Sequence, residues 1–227
     1  MTAGKAVGNT VLWLTACAVF LTAAVGTVTR RANAMVTAPH ILVDAGPGGE
    51  DGGAVAPGGT VEKDINLEVA RCLRDLLCVL GYRVSMTRQT DTMVNTEGNS
   101  LRERKVSDMK RRLAMSGEAD LTVSIHQNKF SLAQYFGAQV FYGTKHPDSK
   151  VAAEHIRAAL ISHLQPDNTR PLKAGDQNVY LLSRATTPTV LVECGFLSNE
   201  AELQKLKDPV YRRQLAFAVV DGVMRGL

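Results

Sequence analysis

The sequence predicts a single α/β domain with a central mixed, mostly parallel sheet and helices on both faces. Two observations carry that reading. From Ile41 onward, short apolar runs of strand length alternate with segments whose apolar residues recur at helical spacing, and Gly, Pro and Asp mark the joins. The chain has 227 residues, 45% of them hydrophobic and 21% charged, enough for one well-buried domain. No internal repeat or low-complexity tract breaks it up, so the expected division is an N-terminal segment (1–36) and one domain (37–227).

The first strand is the apolar run Ile41 to Val43, which feeds a glycine-rich turn, Gly46-Pro47-Gly48-Gly49, and a second glycine pair at Gly52-Gly53. Asp64 is placed to cap a helix in which Ile65, Val69, Leu73, Leu76, Leu77 and Leu80 form one face, with Gly81 as its stop. Tyr82 to Arg88 alternates as a strand. The charged stretch from Gln89 to Lys110 reads as a surface excursion into a helix around Met109 to Ser116, and the run Arg102 to Arg112 as a solvated face. Leu121, Val123 and Ile125 mark a strand that ends at His126. Strands are expected at Gln139 to Tyr142, Val179 to Leu182 and Thr189 to Val192, with a helix from Ser149 to Leu164. Asn199 followed by Glu202 has the spacing of a capping box, and Asp208-Pro209 opens a last helix.

Residues Val11 to Val28 form an uncharged apolar run, with Lys5 before it and Arg30-Arg31 after it. Its length lies between a signal-peptide core and a full membrane span, and Ala32-Asn33-Ala34 offers a small-x-small cleavage pattern. A cleaved export signal and a retained anchor both fit, and either places the domain outside the cytoplasm, secreted or tethered to the membrane. Three of the 26 Lys and Arg residues (Lys5, Arg30, Arg31) lie in the first 34 positions, which hold no Asp or Glu, leaving 23 basic against 22 acidic residues in the body. A nearly neutral body argues against a phosphate-tracking nucleic-acid binder, so no nucleic-acid partner is expected. The four cysteines, Cys17, Cys72, Cys78 and Cys194, show no CxxC pair and no disulfide framework, and the last three read as core fillers.

Three polar residues stand where strands stop or helices start: Glu62, His126 and Glu193. Ligands gather at such edges in open α/β sheets. A carboxylate directly after the apolar run Thr189 to Val192 is costly to bury without a partner, and a metal, a proton-transfer role or a salt bridge would each supply one. Taken alone, each residue is explained as well by an ion pair or a hydrogen-bonded core histidine.

Five ordered blocks add to this: ILVDAGPGGEDGGA from Ile41, Glu62-Lys63-Asp64, Thr87-Arg88, Ser124-Ile125-His126-Gln127-Asn128, and Leu191-Val192-Glu193-Cys194-Gly195-Phe196-Leu197-Ser198-Asn199. In them the chain resembles the zinc-dependent N-acetylmuramoyl-L-alanine amidases of type 3, over roughly Ile41 to Gly226. Softer similarity around Asn128 to Phe130, Gly137 to Tyr142, Pro166 to Asn168 and Val179 to Leu182 is closest to the germination-specific branch, which acts on spore cortex. The resemblance implies a zinc exopeptidase-like fold and hydrolysis of the amide between N-acetylmuramic acid and L-alanine in peptidoglycan. It implies Zn2+ as cofactor, Glu62 and His126 as metal ligands, and Glu193 as the catalytic carboxylate, with Asp44, Arg88 and Asn128 in support. It also implies an accessory sporulation protein as partner and a location in the forespore intermembrane space.

One position departs from the pattern. The family turn carries histidine where this chain has Pro47, and proline has no side-chain donor atom for a metal. Water, Glu50, Asp51 or His40 would be the substitutes, although His40 lies at the wrong end of its strand. The alternatives are an enzyme with a labile metal, a chain altered by a single-nucleotide change, or a peptidoglycan-binding or regulatory protein that has lost hydrolysis. A nucleophilic Cys194 paired with His126 and a phosphate loop at the glycine turn are weaker readings, the second because GxxxxGK[ST] is absent.

Overall fold

The computed structural model describes residues 38–227, of which Pro39–Leu227 form one compact unit. The predicted export segment lies outside the described residues. Within the described residues no helix is long and apolar enough to cross a membrane.

Six strands form one sheet: β1 (His40–Asp44), β2 (Arg83–Met86), β3 (Leu121–Asn128), β4 (Gln139–Tyr142), β5 (Lys173–Ala174) and β6 (Thr189–Phe196). Their order is β2-β1-β3-β6-β4-β5, and every pair is parallel except β4 with β6. The helices are α1 (Glu62–Val79), α2 (Leu101–Ser116), α3 (Pro147–His163), α4 (Tyr180–Arg184), α5 (Glu200–Lys207) and α6 (Pro209–Gly226).

Strand periodicity sorts these helices onto two faces. Ile41, Val43, Val123, Ile125, Val190 and Val192 join one continuous apolar core with Leu73 and Leu77 of α1, Ile156 and Leu160 of α3, and Val219 and Val223 of α6. The alternate residues, Asp44, Ser124, His126, Leu191 and Glu193, therefore point to the opposite face. There α2 supplies Met109 and Arg112, and α4 supplies Tyr180 and Leu181. The expected α/β domain with a mixed, mostly parallel sheet and helices on both faces is the fold observed.

Several element boundaries differ from the sequence reading, each for a local reason. Helix α1 starts at Glu62, and its N-cap is Val61, which makes no side-chain cap; a β-bridge from Val55 to Val61 fixes the entry instead of Asp64. Helix α2 begins at Leu101, eight residues before Met109, because Ser100 and Glu103 close a complete capping box inside what reads as a charged excursion. Segment 179–182 is the start of helix α4 and not a strand: Leu181 and Leu182 are buried side by side rather than in alternation. Both β3 and β6 run past their predicted ends, so Glu193 lies inside a strand. Asn199 caps α5, but Glu202 does not complete a capping box, since its carboxylate accepts the Phe196 and Gly137 N–H groups. Cys194 is buried as expected, whereas Cys78 is exposed and fills no core.

Arg112 also departs from the solvated face assigned to its run. It is buried and donates two hydrogen bonds to the Asp44 carboxylate, at 2.8 Å from Nε and 2.5 Å from Nη2. Ser124 and Thr87 hydroxyls donate to the same carboxylate, so the end of β1 is tied to α2, β3 and the end of β2 at once. Burial alone would raise the Asp44 pKa, but the Arg112 charge and hydrogen bond, helped by His126 and Ser124, hold it well below the usual carboxylate range. On the other face, α3 and α6 approach so closely at Gly222 that an added Cβ would lie 2.3 Å from Ile156 Cα.

Arg112→Ala leaves Asp44 buried without its cation and should lower unfolding free energy by about 3–5 kcal/mol. Because Asp44 has a depressed pKa in the folded state, its contribution is present above the unfolded carboxylate pKa of about 4 and lost as pH falls further. Urea denaturation at neutral and acid pH should therefore show wild type losing more stability toward pH 3 than an Asp44→Asn variant does. Gly222→Ala should separate α3 from α6 and lower stability by about 1–3 kcal/mol, read as a drop in Tm.

Candidate active site

Parallel pairing of β3 with β6 places His126 directly beside Glu193, as Cα partners on the same face of the sheet. Glu62, at the first turn of α1, reaches them from the side: His126 Nδ1 donates to Glu62 Oε1 at 2.9 Å. The structure thus gathers the three residues singled out from the sequence at the carboxyl ends of β3 and β6. A cleft of about 250 Å³ opens over His126 and Glu193, with Met109, Asn178, Tyr180 and Leu181 also in its lining, and Glu62 is joined to it through His126. A larger hollow of about 830 Å³ runs along α2 from Asn95 to Arg111, but it is lined by solvent-exposed side chains and contains none of the three residues.

The Glu62 carboxylate is held by four N–H donors. Ala54 N donates to Oε2 at 2.7 Å, while Asn66 Nδ2 (3.1 Å), Gln127 N (3.3 Å) and His126 Nδ1 donate to Oε1. Burial would raise its pKa, yet the His126 hydrogen bond and charge, with Ala54 and Asn66, bring it down to about 2. For His126 burial acts against the charged ring, but the hydrogen bond and charge of Glu62, and then the charge of Glu193, prevail and raise its pKa. Glu193 goes the other way: burial pushes it up to about 7, with His126 opposing and Glu62 adding to the rise. Its Oε2 is sealed from solvent and has no hydrogen-bond partner among the described residues.

The glycine turn wraps this cluster closely. At Gly46 (φ 61°) an added Cβ would lie 3.2 Å from the His126 ring and 2.6 Å from Asn66 Nδ2. At Gly53 (φ 68°) it would lie 2.4 Å from Glu62 Oε2 and 2.8 Å from Pro47 Cγ, so the proline ring and the carboxylate flank a common point. Only glycine fits either position, on grounds of φ and of space. Arg88 pins the same turn from beneath by donating to the carbonyls of Ala45 and Lys63 at 2.8 Å each. The candidate substitutes for a donor at position 47 are engaged elsewhere: Glu50 pairs with Arg104, Asp51 with Lys105, and His40 bonds Glu118 O and Ser85 Oγ at the far end of β1.

A family model described as N-acetylmuramoyl-L-alanine amidase matches residues 41–225. The chain belongs to this amidase family. The germination-specific N-acetylmuramoyl-L-alanine amidase of Bacillus subtilis (strain 168) is 38% identical to it over 188 residues, covering 82% of this chain and 78% of that protein. Among solved structures, the CwlD amidase from Clostridioides difficile in complex with the GerS lipoprotein superposes with a TM-score of 0.79 at 37% identity, covering 83% of this chain and 98% of that one. An N-acetylmuramoyl-L-alanine amidase from Clostridium difficile 630 superposes with a TM-score of 0.71 at 29% identity, covering 82% and 95%.

The zinc that the sequence resemblance implies meets a donor set that does not fit it. Among the described residues no group of three or more His, Cys, Asp or Glu side chains is arranged to hold a metal ion. Glu62 and His126 are turned toward each other, and Pro47 contributes carbon where a donor would be needed. The cysteine reading fails as well, since burial pushes the Cys194 thiol up to about 12, far from a thiolate nucleophile.

Sequence reasoning missed three contributors. Asn66 lies one helical turn after Glu62, an i, i+4 spacing that was readable. Gln127 supports the pair twice, through its backbone N–H to Glu62 and its side-chain amide to Asn66 Oδ1 at 3.1 Å. Arg112 carried no local signal, because only the fold brings it to Asp44. In an amidase held together this way, Glu62→Gln should lower the His126 pKa. An NMR titration of the ring protons checks this, and an unchanged midpoint would show that the carboxylate does not stabilise the imidazolium.

Proposed function

We propose that this chain hydrolyses the amide bond between the lactyl group of N-acetylmuramic acid and L-alanine in peptidoglycan. The observation that carries the reading is the placing of His126 and Glu193 in one cleft toward the carboxyl edge of the sheet, with Glu62 bonded to His126, in a chain of this family. A reactive carbonyl in that cleft lies beside a carboxylate with an unpartnered oxygen and an imidazole anchored on its other nitrogen.

Glu193 Oε2, which has no hydrogen-bond partner among the described residues, is the proton acceptor once a ligand and its attacking water occupy the cleft. It removes a proton from the water that attacks the carbonyl, and delivers it to the departing L-alanine nitrogen as the C–N bond breaks. The products are a lactyl carboxylate and a peptide with a free amino terminus. His126 keeps Nδ1 on Glu62, so its Nε2 is directed to the ligand, and the imidazolium favoured by Glu62 stabilises negative charge on the carbonyl oxygen. Asn178 and, from α4, Tyr180 line the cleft beside His126 and Glu193.

Similarity to the germination-specific Bacillus subtilis amidase supports spore-cortex peptidoglycan as the substrate, with an exported location, secreted or membrane-anchored, that includes the forespore intermembrane space. The Clostridioides difficile relative solved with a lipoprotein supports an accessory lipoprotein as partner. Pro47 favours a second reading, in which the cleft binds peptidoglycan without cleaving it.

Purified chain incubated with cortex and vegetative peptidoglycan should release peptides with free amino-terminal L-alanine, detected by muropeptide mass analysis. Glu193→Gln should lower the rate by about 10²- to 10⁴-fold while leaving the far-UV circular dichroism unchanged. Peptidoglycan that sediments with the chain but stays intact would replace hydrolysis by the binding reading.

A further inference from the structure

We infer that Glu62 and His126 form a hydrogen-bonded pair in this chain in place of two arms of a zinc site, and that Pro47 is the residue that decides between the two. The inference concerns the same cleft as the amidase reading and relies on it only for the choice of metal.

The first argument is the crowding of Glu62 Oε1. A carboxylate oxygen offers about two lone-pair directions, and three N–H groups, from Asn66, Gln127 and His126, converge on Oε1, while the Ala54 N–H takes one direction on Oε2. A metal entering at Oε1 must displace a donor, and of the two side-chain donors there Asn66 is fully buried, whereas His126, 20% exposed in its side chain, is the more accessible. Its Nδ1 donates to the carboxylate and so has no lone pair for a cation. Breaking the bond would free both donors but would still provide only two.

The second argument is the place of Pro47. Its Cγ and Glu62 Oε2 lie 2.8 Å and 2.4 Å from the same point, the position of an added Cβ on Gly53. A side chain at position 47 is therefore next to the carboxylate, within reach of the pair, and an imidazole there would face it with a nitrogen. A catalytic zinc needs three protein ligands and one open position. With carbon at 47, and Glu50 and Asp51 committed to Arg104 and Lys105, the described residues supply no third donor. Glu193 does not complete the set, for although its Oε2 is unpartnered, the three neighbouring side chains are not arranged to hold one ion.

The consequence is a chain of an amidase family whose own side chains hold zinc weakly. Loss of an outer-sphere partner costs metal affinity about 10- to 100-fold, and loss of a direct imidazole ligand should cost at least the upper end of that range.

The experiment uses the full chain as wild type, Pro47→His and Pro47→Ala, the last controlling for removal of the proline ring. Zinc affinity is measured by competition with a chromophoric chelator, and the thermal shift on adding zinc is recorded alongside. Expected results are a Kd at least 100-fold tighter for Pro47→His than for wild type, with Pro47→Ala near wild type, and a zinc-dependent rise in Tm for Pro47→His alone. A wild-type Kd within tenfold of Pro47→His overturns the inference. Should Pro47→His fail to fold, the His126 ring resonances of wild type decide: unmoved by equimolar zinc, they uphold the pair, and shifted stoichiometrically, they overturn it. The muropeptide assay is a separate arm. Weak zinc binding without peptide release removes the amidase reading and keeps this inference, whereas tight zinc binding with release does the reverse.

Discussion

The site depends on the parallel register that sets His126 of β3 opposite Glu193 of β6. Adjacent strands are about 4.8 Å apart, so residues paired in register on one face are obliged to be neighbours. A slip of one residue in either strand would turn that side chain into the apolar core between the sheet and helices α1, α3 and α6. The register is strongly specified because the alternate residues, Val123, Ile125, Val190 and Val192, are wholly buried on the core side. The hydrophobic pattern that builds the core thus also delivers an imidazole and a carboxylate to one spot on the opposite face.

A second layer of interactions holds the glycine turn against that spot. Asp44 ends β1 in a buried network with Arg112, Ser124 and Thr87, and Arg88 binds the carbonyls that follow. Turn and helix start are then clasped by the Ala54 N–H on Glu62 and the β-bridge from Val55 to Val61. Each of these polar groups is buried and partnered, as a low-dielectric setting requires. Glu193 Oε2, like Gln127 Oε1, has no partner among the described residues, and burial raises the Glu193 pKa to about 7.

Much of this was legible in the sequence where side-chain pattern decides structure. Strand β4, helices α1, α3 and α6, and the apolar starts of β1, β3 and β6 follow from periodicity and from the turn chemistry of Gly81, Asp208 and Pro209. What was hidden had competing signals. Helix α2 is charged nearly throughout, so its periodicity gave no apolar face, and its basic residues find partners in Asp44, Glu50 and Asp51, which are distant in sequence. Helix α4 was mistaken for a strand because a four-residue apolar run has no period of its own. Glu62, His126 and Glu193 could be named as candidates from residue type and position at element ends. The four donors on Glu62 could not.

By itself the sequence determined the fold class, the identity of the three polar residues and the absence of a donor atom at position 47, because each is fixed by local pattern or by side-chain chemistry. Only the tertiary structure decided that position 47 flanks the Glu62 carboxylate, that His126 spends its Nδ1 on that carboxylate, and that Glu50, Asp51 and Arg112 are engaged elsewhere. The physical reason is that hydrogen bonds and ion pairs between residues 50 to 80 positions apart are set by strand register and helix docking, which no short stretch of chain encodes.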